Sequence, residues 1–90
     1  MAQESPAVKA TPVVTKNGNS VTIAGSGPPD EPVRLVITNT ATNVDVVDES
    51  DKLNGNGEGS FTVDLPNGSY TATVTDTNSG AQKSVNFNVP

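Results

Sequence analysis

The 90-residue sequence predicts an all-β protein, seven short antiparallel strands stacked as two sheets. Three observations predict it. Apolar residues alternate with Ser, Thr and Asn at period two in run after run, while no window places them at i, i+3, i+4 and i+7 over three helical turns. Turn-forming clusters of Gly, Pro and Asn separate the runs at spacings of about 8 to 12 residues, the rhythm of a sandwich. A chain of 9.2 kDa with 32% hydrophobic and 3% aromatic residues supplies one core and no second.

The elements follow in order. Residues 1–10 carry no apolar pattern and read as an extended arm, leaving residues 11–90 for the sandwich. Val13 and Val14 start a first strand, and Asn17-Gly18 reads as its hairpin turn because both residues tolerate positive φ. Val21 and Ile23 form the inner face of a second strand. Consecutive prolines in Gly25–Pro32 remove ladder donors, so this stretch is a loop. Val33, Leu35 and Ile37 point inward on the third strand, with Val36 breaking an otherwise polar outer face. Asn39–Asn43 is a turn, and Val44–Val47 leads into a fourth strand whose register is ambiguous because Val46 and Val47 are adjacent. Its acidic end suits a defended edge. After a loop at Leu53–Gly59, Phe61, Val63 and Leu65 alternate with Ser60, Thr62 and Asp64. Tyr70, Ala72 and Val74 alternate with threonines, and Val85, Phe87 and Val89 close the domain. Lys83 falls on the apolar side near the start of that last strand, which requires its ammonium to reach the rim.

Composition narrows the chemistry. Without Cys, His or Trp, the chain has no disulfide frame, no thiolate or imidazole metal site and no imidazole acid-base pair. Ten acidic against five basic residues give a net charge of −5, which disfavours nucleic acid and anionic headgroups as partners. No apolar stretch approaches the roughly 18 residues of a membrane helix. The opening MAQESPAVKATP lacks a basic n-region and an apolar h-region, so export of the chain as written is not expected. Asp48, Asp51, Asn54, Asn56 and Glu58 suggest calcium, but an EF-hand frame begun at Asn54 puts Asn first and Leu65 twelfth, where Asp and Glu are needed. No metal, cofactor or catalytic residue is therefore expected. The acids read as a solvated loop, and the chain as a non-enzyme.

The most specific motif lies in DLPNGSYTATVTD, residues 64–76, with Leu65, Gly68, Tyr70 and Val74 as its frame. A Tyr two residues after a turn Gly can cover one end of a sandwich and hydrogen-bond its hydroxyl to the preceding corner, as a tyrosine corner does. On this motif and the strand rhythm, residues 11–90 resemble immunoglobulin-like domains of the bacterial and phage type, without the Cys pair and buried Trp of antibody domains. A free-standing domain with an arm further resembles tailed-phage head decoration proteins. That resemblance implies a structural protein made in the host cytoplasm, bound to the major capsid protein on the outside of the virion, reinforcing the head or mediating weak adhesion. Bacterial cell-surface glycans are the second partner it implies. The alternative is an immunoglobulin-like spacer or adhesion module of a bacterial cell-surface protein. For docking, the arm offers Val8, Lys9 and Pro12; the competing surface is the Gly27–Pro32 loop, with Pro28 and Pro29, together with Val36.

Overall fold

The computed structural model describes residues 12–90. The expectations for the arm and for Val8 and Lys9 lie outside them. Seven strands follow in order: β1 (Val13–Asn17), β2 (Ser20–Ser26), β3 (Pro32–Asn39), β4 (Val44–Lys52), β5 (Glu58–Asp64), β6 (Gly68–Asp76) and β7 (Gln82–Val89). They form an antiparallel three-stranded sheet, β1-β2-β5, and an antiparallel four-stranded sheet, β4-β3-β6-β7.

The period-two pattern becomes two facing layers. Val21 and Ile23 of β2 meet Leu35 and Ile37 of β3, Tyr70, Ala72 and Val74 of β6, and Phe87 and Val89 of β7. Each is buried, and Val21, Ile37 and Ala72 have no exposed surface. Covering one such aliphatic side chain contributes about 1.5–3 kcal/mol, so this seam between the sheets dominates the fold's stability.

Four sequence expectations need correction. Ile37 pairs with Val47 but Thr38 pairs with Asp45, which leaves Val46 as the extra residue of a β-bulge. The bulge turns Val47 into the core and leaves Val46 exposed, so two adjacent valines face different ways. Second, Asp48–Lys52 continue β4, so the supposed acidic loop over residues 48–59 shrinks to residues 53–57. Third, the first hairpin turns on Gly18-Asn19, with Asn17 paired to Ser20. Gly18 alone takes positive φ there, 62°, the pattern of a type II′ turn with Gly first. Fourth, Pro12 is buried and offers no docking surface.

The strand directions give the sandwich two unlike poles. β1 starts beside the loops β2–β3, β4–β5 and β6–β7, while β7 ends beside the corner between β5 and β6. A chain passing through the domain therefore enters at one pole and leaves at the other, along a longest extent of 43 Å.

Candidate functional site

The corner pole is rigidly built. Tyr70, 2% exposed, donates its hydroxyl to the carbonyl of Pro66 at 2.6 Å and stacks on Phe87 with centroids 5.6 Å apart. Gly68 has an ordinary φ and begins β6, and a Cβ there would make ordinary van der Waals contact with the Tyr70 ring at 3.4–3.5 Å, so neither strain nor space demands glycine at this position. Leu65 is buried, and its N–H donates to the Asn19 carbonyl at 2.9 Å. The Asn19 amide returns a hydrogen bond to the Leu65 carbonyl at 2.7 Å, tying the first hairpin to the corner. Leu65 and Tyr70 are thus buried at this corner with Gly68 beside them, Val74 is buried further along β6, and Asn19 is a member the sequence did not reveal.

The opposite pole is held by backbone bonds. The N–H of Gly27 donates to the Gly57 carbonyl at 2.8 Å, Asp30 to Asn54 at 3.0 Å, and Leu53 to Glu31 at 2.9 Å, so the proline loop and the β4–β5 loop brace one another. Gly57 takes φ 76°, and a Cβ there would enter the van der Waals envelope of the Gly27 carbonyl oxygen. Only glycine fits. Asp76 is the one charged residue buried among the described residues. It caps the β6–β7 turn, accepting hydrogen bonds from the N–H of Asn78 at 2.8 Å and the hydroxyl of Ser79 at 3.0 Å. Burial pushes its carboxyl up, but those bonds outweigh burial and hold it below the usual carboxylate range. The nearby Glu31 carboxyl is raised by its hydrogen bond with Asp76, then by desolvation and by Asp76's charge. The signal for this cap was legible as Asp76-x-Asn78-Ser79, an Asx turn.

Both outer faces carry short side-chain pairs. Thr71 bonds to Asn86 at 2.7 Å, Ser69 to Asn88 at 2.8 Å, Thr73 to Ser84 at 2.9 Å, and Thr22 to Thr62 at 2.9 Å. Arg34 grips Asp48 through two bonds of 2.8 and 2.5 Å, which raises the guanidinium and lowers the carboxyl. Val36, half-buried, sits in register with Asp48 and Thr73 within this face. Pro28 is half-buried and Pro29 exposed on the loop pole. Val36 lies four residues into β3 from Pro32, about 13 Å along the strand from the loop that carries Pro28 and Pro29.

The two flanks differ. Along one, β1 approaches β7, and the Lys16 ammonium donates to the Asn88 carbonyl at 2.6 Å across the gap. Along the other, β4 and β5 make no comparable approach. Between them opens an apolar cleft of about 160 Å³ with Ile23, Leu35, Phe61 and Val74 in its walls and Glu49 and Asp51 at its mouth.

This architecture is an immunoglobulin-like β-sandwich. A solved structure from Bacteroides vulgatus ATCC 8482, a DUF3244 family protein with an immunoglobulin-like β-sandwich fold, is similar at TM-score 0.60 and 18% identity, over 86% of this chain and 81% of that one. No family model and no curated protein matches the sequence.

Proposed function

We propose that this chain is a non-catalytic immunoglobulin-like module of a bacterial surface protein, serving as a spacer that also presents an adhesive surface. The supporting observation is the passage of the chain from pole to pole: β1 enters at the loop pole and β7 leaves at the corner pole, so the module sets its neighbours apart by the domain's length. Hydroxyl and amide side chains paired across both outer faces, together with the exposed charges of β4, give that spacer a polar surface. The similar immunoglobulin-like sandwich is also from a bacterium. A phage-head decoration role is the second reading, and it rests on the resemblance of the sequence alone.

An antibody against the folded domain, applied to envelope and particle fractions of the producing cells, tests the proposal. The expected result is a larger polypeptide in the envelope fraction. A 9.2 kDa band on virus particles in many copies would overturn it and install the decoration role.

A further inference from the structure

The open flank has three properties that belong together. First, among the described residues β5 is a sheet edge that pairs with β2 alone; Asn54 takes up the Glu58 backbone, and alternate residues beyond it, Ser60, Thr62 and Asp64, turn backbone donors and acceptors to the open side. Second, the apolar cleft lies beside that edge, with Phe61 half-buried in its wall. Third, β4 overhangs the cleft with the acids Glu49 and Asp51 on its inner face, and the one cation in the lining, Lys52, leaves the mouth with a negative balance. Leu35 pairs with Glu49 and Val33 with Asp51, so both carboxylates share the face of the buried Val47, yet both are exposed. The ion pair found among the described residues, Arg34–Asp48, is on the opposite face and engages neither.

Inward-facing charge on an edge strand normally prevents pairing, and here it does so selectively. A second copy of this chain, with net charge −5 and acids at both ends of its own β5, Glu58 and Asp64, would bring like charge to Glu49 and Asp51. A strand carrying cations brings the opposite sign, and the aliphatic stems of Lys or Arg cover Phe61 while their heads reach the mouth.

We propose that the open flank is a strand-accepting site. An extended segment of another protein, with apolar, cationic and cationic side chains at i, i+2 and i+4, pairs with the free edge of β5. It lays those three side chains against Val47, Glu49 and Asp51. Backbone pairing supplies the general affinity and the alternate side chains supply the choice of partner. The site stands whether the whole protein is a surface spacer or a particle decoration, so its failure leaves the proposed function intact.

The test is an NMR titration of the isotopically labelled 90-residue protein with the capped peptide TVTKTKT, whose Val and Lys residues share one face. Saturable shifts confined to residues 47–53 and 58–63 are expected. Affinity should fall at least tenfold in the double variant Glu49→Lys/Asp51→Lys, with the melting temperature retained because both positions are exposed. The peptide TVTETET should not bind. A peptide N-methylated at alternate residues keeps its charge but cannot pair, and should bind at least tenfold more weakly. The proposal is overturned by no saturable shift at millimolar peptide, by shifts along β1 or β7, by full binding of the N-methylated peptide, or by concentration-dependent shifts at β5 without peptide, which would make a second copy the occupant.

Discussion

Phe87 and Phe61 are the chain's two phenylalanines, and they sit on opposite flanks of the same sandwich. Phe87 is 8% exposed, stacked on Tyr70 on the flank where β1 meets β7; Phe61 is half-buried beside the cleft that β4 and β5 leave open. Both arise from the same alternating pattern in their strands. The difference teaches that strand periodicity decides which face a side chain takes, whereas sheet closure decides how far that face is covered. One flank is a structural seam and the other is a surface.

The strongest way to break this comparison is to truncate the two rings. Phe87→Ala should cost about 3–5 kcal/mol in chemical denaturation, since it removes a buried ring and leaves a cavity under Tyr70. Phe61→Ala should cost about 2 kcal/mol, because its ring is half-wet already and its loss widens an open notch. Equal losses would mean that the flanks are equally closed. Next in size, Tyr70→Phe should cost about 1–2 kcal/mol by leaving the Pro66 carbonyl without its partner, with the peptide site of the open flank unaffected. Lys16→Met tests the bridge across the closed flank; its bond to the Asn88 carbonyl is exposed, so a loss of about 0.5–1 kcal/mol is expected.

The smallest expected effect is a pH dependence at the loop pole. Asp76 is lowered in the folded state, so its contribution is present above its ordinary value near 4 and is lost as pH falls through the folded value. Glu31 is raised, so its ionisation opposes folding at neutral pH; stability rises as pH falls through the raised value and the gain is complete below its ordinary value near 4.3. The wild type should therefore gain slightly on mild acidification and then lose stability in stronger acid. Glu31→Gln should remove the gain and keep the later loss, as denaturation midpoints measured from pH 7 to pH 2.5 would show.

Much of the fold was legible from residues. The strict alternation in Tyr70–Val74 and Phe61–Val63 required inner and outer faces, and the Tyr70 hydroxyl found the corner that its place after Gly68 predicted. Val46-Val47 was illegible because a bulge, set by pairing with Ile37 and Thr38, decides which valine turns inward. Asp48 and Asp51 looked like loop acids because their strand character comes from pairing with Val36 and Val33. Pro12 seemed a free docking residue because nothing local reveals that it is covered. The open flank was wholly hidden. Its acids, its free edge and Phe61 come from two strands that belong to different sheets.

The asymmetry of the flanks is most directly read by methyl NMR under xenon pressure, a small apolar probe that enters an apolar cleft without altering the chain. Xenon should shift the methyls of Ile23, Leu35 and Val74 and leave Val85 and Val89 unmoved. Equal shifts on both flanks, or shifts confined to Val85 and Val89, would contradict a sandwich shut along β1 and β7 and open along β4 and β5.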